Sequence, residues 1–153
     1  MRRPLSRLLI GAAVAFLVAS CGSAAPSAAD YRKRLDTLCA SLSKFNRDLP
    51  QLQFSQHLTI TELEARVRQQ GNAFRSGVAG LTPPGQLSSA HRALTGDLGH
   101  PPAEGASRAT LISHDRLLLS DYTALGATGC ATSAAQAITT LNTLPSASAS
   151  TPG

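Results

Sequence analysis

The sequence predicts an all-α protein, a small antiparallel helical bundle of about four to five helices tied by one disulfide. Three observations predict this class. Apolar residues recur at intervals of three and four, which is the spacing of one helix face. No run shows the sustained apolar–polar alternation of a half-buried strand. The stretches "LTPPG" and "GHPPAEG" contain proline and glycine and divide the middle of the chain into segments of helical length.

The first predicted helix has the clearest apolar stripe in the chain. Its members are separated by four, three, four, three and four positions, as on one face of an amphipathic helix. Cys39 flanks this stripe, where a residue that bridges to another helix is expected. The stripe consists of Tyr31, Leu35, Leu38, Leu42, Phe45 and Leu49.

The second predicted helix runs from about Thr61 to Ala79. A capping box from Thr61 to Glu64 is expected to open it, because the two side chains can satisfy each other's backbone N–H groups. Acidic and basic residues spaced by four add favourable pairs on its outer face. These pairs are Glu62 with Arg66 and Glu64 with Arg68, and the apolar stripe is Leu63, Val67, Phe74 and Val78.

The next two helices follow the proline-rich segments. The third begins after "TPPG", because proline suits only the first turn of a helix, and ends at "GHPPAEG". The fourth is predicted from about Ser107 to Leu125, with Gly126 as its C-terminal cap. The apolar positions are Leu87, Leu94 and Leu98 in the third helix and Leu111, Ile112, Leu118, Leu119, Tyr122 and Leu125 in the fourth.

The fifth helix is predicted to begin beyond Cys130. Ser133 and Gln136 form a candidate capping box at its start. Ile138 and Leu141 form its apolar face, and Pro145 ends it.

The N-terminal segment has the form of a secretory signal. Arg2, Arg3 and Arg7 make its start positive, and an apolar run follows from Leu8 to Ala19. This run is too short to cross a bilayer, which needs about 20 apolar residues. A positive start, a short apolar run and small residues at the cleavage point predict export and removal of residues 1–20.

The residues at the cleavage point resemble the lipobox of bacterial lipoproteins. Val18, Ala19, Ser20 and Cys21 supply a branched aliphatic residue, two small residues and the cysteine of that pattern. The resemblance implies that the signal peptidase recognises Val18 to Ser20 and that Cys21 becomes the mature N-terminus, with an S-diacylglycerol and often an N-acyl chain such as palmitate. Several acyl chains would hold the protein firmly at the cell membrane, on its extracytoplasmic side. The alternative is an ordinary secreted protein with a chance cysteine.

The other two cysteines are predicted to form a disulfide. With Cys21 lipidated, Cys39 and Cys130 remain as a pair in an oxidising compartment. The alternative is a two-cysteine metal or redox site, but no CxxC motif occurs and no histidine or third cysteine lies at ligand spacing.

The mature chain is predicted to contain a tether at residues 21–29, a helical domain at 30–144 and a disordered tail at 145–153. The formal net charge of the whole chain is +5, and removal of the three signal-peptide arginines leaves +2. This modest charge and the export signal argue against nucleic acid as a partner. The basic run at 32–34 is either a solvated face or a contact with anionic headgroups.

A second resemblance covers about residues 80–131. The "PP" followed by leucine and histidine, and then "LGATGC" before the last helix, resemble small actinobacterial lipoproteins of unassigned function. The resemblance implies the same architecture and compartment and no particular activity.

Two polar residues lie on apolar stripes and are the candidates for a pocket. His91 falls between Leu87 and Leu94, and Asp115 falls between Leu111 and Leu118. His91 is either a hydrogen-bonded core histidine or a residue that orients a ligand between helices. We hypothesise that Asp115 pairs with His91 or with an arginine.

Catalytic and metal-binding motifs are not found in the sequence. The four histidines are widely spaced, no HExxH or GxSxG occurs, and the cysteines are assigned to lipid and disulfide, so neither a metal nor a cofactor is expected. The preferred function is a lipid-anchored extracytoplasmic binding or interaction module for an unknown protein, lipid or small molecule. The alternative is an envelope-acting hydrolase or modifying enzyme that uses dispersed polar residues such as His91 and Asp115.

Overall fold

A computed structural model describes residues 26–145 of the chain. These residues form five α-helices and no strand, so the predicted all-α class is confirmed. The predicted signal peptide, the predicted lipidation site Cys21 and the residues after 145 lie outside the described part. The helices are α1 (Ala28–Ser55), α2 (Ile60–Ala79), α3 (Ser88–Gly99), α4 (Arg108–Leu125) and α5 (Thr128–Thr143), and a short 3₁₀ turn at Gly85–Leu87 leads into α3.

The five helices close into a ring. Each packs against the helix that follows it, and α5 packs against α1. The end of α5 lies beside the start of α4, because the Pro145 carbonyl accepts a hydrogen bond from Arg108 at 2.8 Å. Successive helices therefore alternate in direction, as in an antiparallel bundle, and α1 and α5 become parallel neighbours.

The predicted disulfide joins these parallel neighbours. Cys39 and Cys130 are bonded, with their Cα atoms 5.3 Å apart. The Asp36 carboxylate accepts a hydrogen bond from the Cys130 backbone at 3.1 Å, and the Ser43 and Ser133 hydroxyls lie 2.9 Å apart. The first and last helices are thus held together over several turns, as the sequence predicted.

The core lies inside the ring and is contributed by all five helices. Burial of apolar side chains here is the main source of stability. Several predicted stripe residues are fully or nearly fully buried. The buried apolar residues are Tyr31, Leu35, Cys39, Phe74, Val78, Leu87, Leu94, Leu98, Tyr122, Leu125, Ala127 and Cys130.

The start of α2 differs from the prediction. The capping box joins Thr59 and Glu62, where Glu62 accepts a hydrogen bond from the Thr59 N–H at 2.8 Å, and the expected box from Thr61 to Glu64 is wrong. Thr59 takes the position because its backbone is extended, with ψ at 160°, as an N-cap requires. Thr61 already lies within the first turn.

The first and fifth helices begin earlier than predicted. α1 starts at Ala28 with Ser27 as its N-cap, so two residues assigned to the tether are helical. α5 starts at Thr128, because Gly126 ends α4 in a left-handed conformation and only Gly126 and Ala127 separate the two helices. Ser133 lies inside α5, where its hydroxyl donates to the Gly129 carbonyl at 3.1 Å and caps no helix start.

The first two helices extend beyond the rest of the bundle. α1 has 28 residues and α2 has 20, about 42 and 30 Å in length, whereas α3 has only 12. The buried residues of α1 lie between Tyr31 and Cys39, and those of α2 are Phe74 and Val78. We call the remaining end of this helix pair, residues 49–67, the α1–α2 arm.

No helix within residues 26–145 combines the length and the apolar character needed to cross a membrane.

Candidate functional site

His91 is a hydrogen-bonded core residue. It is 8% exposed, and its Nδ1 is hydrogen-bonded to the Tyr31 hydroxyl at 2.8 Å. The two rings meet edge to face with centroids 5.8 Å apart. Burial lowers the pKa of His91 and raises that of Tyr31, so both side chains are neutral near pH 7. The geometry agrees with the core alternative and gives His91 the role of joining α1 to α3.

Asp115 has a different neighbour from those hypothesised. Its carboxylate lies 4.0 Å from Nδ1 of His114, and within residues 26–145 no ion pair joins it to an arginine. The Nδ1 of His91 is hydrogen-bonded to Tyr31. The hypothesised pairing of Asp115 with His91 or an arginine is therefore corrected, because Asp115 lies beside His114 instead. Burial raises the pKa of Asp115, and His114 partly offsets that rise.

A carboxyl pair between α3 and α4 was not anticipated from the sequence. Asp97 on α3 and Asp121 on α4 place their carboxyl groups close to each other across the helix interface. One oxygen of Asp121, Oδ2, is buried and meets no N–H or O–H donor among the described residues. Burial and the second carboxyl raise the pKa of Asp121 to about 6.

The surroundings of this carboxyl pair offer it little positive charge. His114 directs Nε2 at the backbone carbonyl of Asp97, at 3.2 Å, and not at its carboxylate. α5, which packs against the other side of α4, contains no charged side chain. No group of three or more His, Cys, Asp or Glu within residues 26–145 has the arrangement of a metal site.

The sequence positions of the two aspartates agree with their proximity, but this can be recognised only once the packing of the helices is known. Asp97 and Asp121 each precede a core residue, Leu98 and Tyr122, by one position. Both therefore border the same helix–helix interface. Because 24 positions separate them and neither lies on an apolar stripe, no local pattern indicates that they meet.

An apolar groove lies where α2 passes the loop between α3 and α4. It has a volume of about 500 Å³, and Leu63, Val67, Pro101 and Pro102 contribute apolar walls. Its rim carries charges of both signs: Glu64, Arg68, Arg75 and Glu104. Mostly apolar walls with a few charged groups are typical of ligand and partner sites.

A second groove separates α1 from α5 and is more polar. Its volume is about 600 Å³, and Arg47 is the single charged residue that lines it. Ser43 and Ser133 also line it, but their hydroxyls are hydrogen-bonded to each other. This groove therefore presents fewer free polar side chains to a ligand than its lining residues contain. Neither groove is lined by His91 or Asp115.

Three of the five exposed large apolar residues of the described chain belong to the α1–α2 arm, and one of them, Val67, also lines the apolar groove. Phe54 is 79% exposed, Ile60 63% and Val67 42%, and all three belong to the α1–α2 arm. Single exposed apolar residues are ordinary, whereas a contiguous group marks a contact surface. The arm and its groove are therefore the candidate functional site, and the sequence-predicted residues His91 and Asp115 lie outside it.

A comparison of the chain with protein families, curated proteins and solved structures found no match.

Proposed function

We propose that this protein is a lipid-anchored extracytoplasmic interaction module that contacts a protein partner through the α1–α2 arm. The observation that carries the proposal is the grouping of Phe54, Ile60 and Val67, exposed by 79%, 63% and 42%, at one end of the bundle. Apolar and aromatic side chains of this kind supply the core of protein interfaces. A bundle with no partner would gain stability by replacing them with polar residues.

The anchor and the arm lie at opposite ends of α1 in this proposal. The signal-like N-terminus and the lipobox resemblance at Cys21 support attachment before α1 begins. α1 then spans 28 residues, so the end of the helix that belongs to the arm is about 42 Å from its start. This separation leaves the arm accessible to a partner while the lipid holds the protein at the outer face of the cell membrane.

The enzymatic alternative has less support. It depended on a pocket that joins His91 to Asp115, and these residues instead contact Tyr31 and His114. The interaction module is therefore the function that the geometry supports best.

The anchor is tested by cell fractionation. The wild-type chain is expected in the membrane fraction, with a mass that corresponds to a lipidated N-terminal Cys21. The Cys21→Ala variant should lose both the added mass and the membrane association. A wild-type chain that leaves the cell unmodified would refute the anchor.

The arm is tested by photo-crosslinking in the native host. A photoreactive amino acid at position 54 is expected to give a discrete adduct with a protein, whereas the same amino acid at the exposed α5 position Thr132 should not. Equal adducts at both positions, or none at position 54, would refute the arm as the contact surface.

A further inference from the structure

We propose that the end of the bundle at which α1 begins docks on anionic phospholipid headgroups of the membrane that holds the lipid anchor. The inference rests on the proposed function, because it takes Cys21 as the anchored residue. It goes further by assigning a second membrane contact to the helical domain itself, with the lipid class that it requires and the orientation that it imposes.

All five helices have one end on the same side of the bundle as the start of α1. Arg32, in the second turn of α1, donates a hydrogen bond to the carbonyl of Leu125, the last residue of α4, at 2.8 Å. The backbone of Cys130, near the start of α5, donates to Asp36 at 3.1 Å. We call this end the base of the bundle and define it as about two and a half turns of each helix with the connecting loops. It consists of residues 28–36, 71–96 and 117–136.

The net charge of residues 26–145 lies entirely in the base. With histidines neutral, the base contains five basic and three acidic residues, whereas the rest of this range contains six of each sign. An anionic surface therefore attracts the base in preference to the α1–α2 arm. The basic residues of the base are Arg32, Lys33, Arg34, Arg75 and Arg92, and the acidic ones are Asp30, Asp36 and Asp121.

The basic side chains of the base are more available than the acidic ones. Lys33, Arg34 and Arg92 are exposed, and none of them joins an ion pair within residues 26–145. Asp30 accepts a hydrogen bond from the N-cap serine of α1 at 2.7 Å, and Asp36 accepts one from the backbone of α5. The free charge at this end is therefore mainly positive.

The exposed cations are placed to reach a surface beneath the base. Side chains of a helix lean towards its N-terminus, and Lys33, Arg34 and Arg92 belong to the first two turns of α1 and α3. These two helices face each other across the core, where Tyr31 is hydrogen-bonded to His91. The cations therefore lie on two sides of the base and can contact one flat surface together.

The anchor holds the base close to the membrane. Seven peptide links separate Cys21 from Ala28, and they span at most about 25 Å. Contact between the base and the bilayer is thus effectively intramolecular, so weak attractions decide the orientation. Each basic residue close to an anionic surface favours contact by about fivefold, and three favour it by about a hundredfold. The loops at the base, residues 80–87 and 126–127, contain no charge that opposes this contact.

Docking of the base directs the α1–α2 arm away from the membrane. When the axis of α1 is close to the membrane normal, its far end lies about 40 Å above the headgroups. The opposite orientation, in which Phe54 and Ile60 insert among the lipids, would hide the surface that the proposed function uses. The base contact therefore keeps the arm available to a protein partner.

The test measures how close two positions come to the bilayer. The protein is matured in a lipoprotein-producing host, with a fluorescent amino acid either at Gln86, an exposed base residue, or at position 54 of the arm. Quenching by lipids that carry a nitroxide on the headgroup reports proximity. The vesicles contain phosphatidylcholine alone, or phosphatidylcholine with about one third phosphatidylglycerol as the anionic lipid.

Position 86 should be quenched about threefold more strongly in the anionic vesicles than in the neutral ones. Salt at about 0.5 M should remove this difference, because it screens the attraction between the cations and the headgroups. Position 54 should stay unquenched in both kinds of vesicle.

Two triple variants remove equal charge from different parts of the surface. The base variant combines Lys33→Gln, Arg34→Gln and Arg92→Gln and should lose the extra quenching in anionic vesicles. The control variant removes three exposed arginines outside the base and should keep it. The control substitutions are Arg47→Gln, Arg66→Gln and Arg116→Gln.

Equal quenching of position 86 in both kinds of vesicle, a base variant that behaves like the wild type, or quenching at position 54 in place of position 86 would overturn the proposal. Flotation of the vesicles separates these results from a failure of the proposed function. A wild type that floats with both kinds of vesicle but shows no extra quenching in anionic ones refutes the docking and leaves the anchor standing. A wild type that floats with neither refutes both.

Discussion

Replacement of Asp121 by asparagine is expected to stabilise the fold at neutral pH. The pKa of Asp121 is raised from 3.8 to about 6 by burial and by the neighbouring carboxyl of Asp97. At pH 7 Asp121 is therefore largely ionised, although it lies half-buried beside a second acidic side chain at the α3–α4 interface. An asparagine amide removes one charge and can donate a hydrogen bond to Asp97.

The magnitude follows from the difference in pKa between the folded and unfolded chain. A rise from 3.8 to about 6 corresponds to an upper limit of about 3 kcal/mol. Because Asp121 is only half-buried, solvent screening reduces this to about 1–2 kcal/mol. Asp121→Asn should therefore raise the melting temperature at pH 7 by about 3–8 °C.

The dependence of folding stability on pH distinguishes the effect of Asp121 from that of His91. A carboxyl with a raised folded-state pKa binds more protons in the folded chain, so its contribution to stability is lost as the pH rises from about 4 to 6. His91 acts in the opposite direction, because burial lowers its pKa and stability falls as the pH drops below 6.5. Asp121→Asn should remove the first effect and keep the second.

Thermal and urea unfolding between pH 4 and 8 measures these effects. Glu104→Gln, at an exposed position in the loop between α3 and α4, is the matched control for loss of one negative charge. The reasoning would be refuted if Asp121→Asn gained no stability at pH 7, gained as much at pH 4 as at pH 7, or behaved like the control.

Three further changes test other parts of the fold. Tyr31→Phe removes the buried hydrogen bond to His91 and should cost about 1–2 kcal/mol in urea unfolding, and unchanged stability would contradict the pairing. Reduction of the interhelical disulfide, which closes a separation of 91 residues, should lower the free energy of unfolding by about 4–5 kcal/mol, and equal stability with and without reductant would argue against this staple. Gly126→Ala should lower the melting temperature, because φ is +70° and a Cβ would come within 2.8 Å of the Arg32 Nε. A neutral effect would mean that this helix end tolerates a side chain.

The helices could be predicted because the pattern that specifies each helix lies within a short stretch of sequence. The stripe that contains Tyr31 and Leu35 repeats with the period of a helix, and Gly126 ends α4 as expected. The cysteine pair could be predicted because only two thiols remained once Cys21 was assigned to lipid. The start of α2 was missed because both Thr59 and Thr61 have a glutamate three positions later. The start of α5 was missed because its N-cap is Ala127, which makes no side-chain capping hydrogen bond and so leaves no capping signal in the sequence.

The candidate site could not be predicted in the same way, because it depends on what the other helices leave uncovered. Val67 lies on a regular apolar stripe, and nothing in its local sequence distinguishes it from Val78, which is fully buried. The difference arises because α3 is short and stops before it reaches the arm. Likewise, His91 and Asp115 share an apolar spacing, and only packing shows that they have separate partners.

Because α5 packs against α1, the ring can close only after the last helix has been synthesised. α1 is synthesised first, but one of its two neighbours is the last helix to be made. Until then the α1 face that α5 covers, including Leu35 and Cys39, has no native partner. The chain therefore cannot complete its fold helix by helix during synthesis, and the Cys39 thiol stays without its partner cysteine until synthesis is nearly finished.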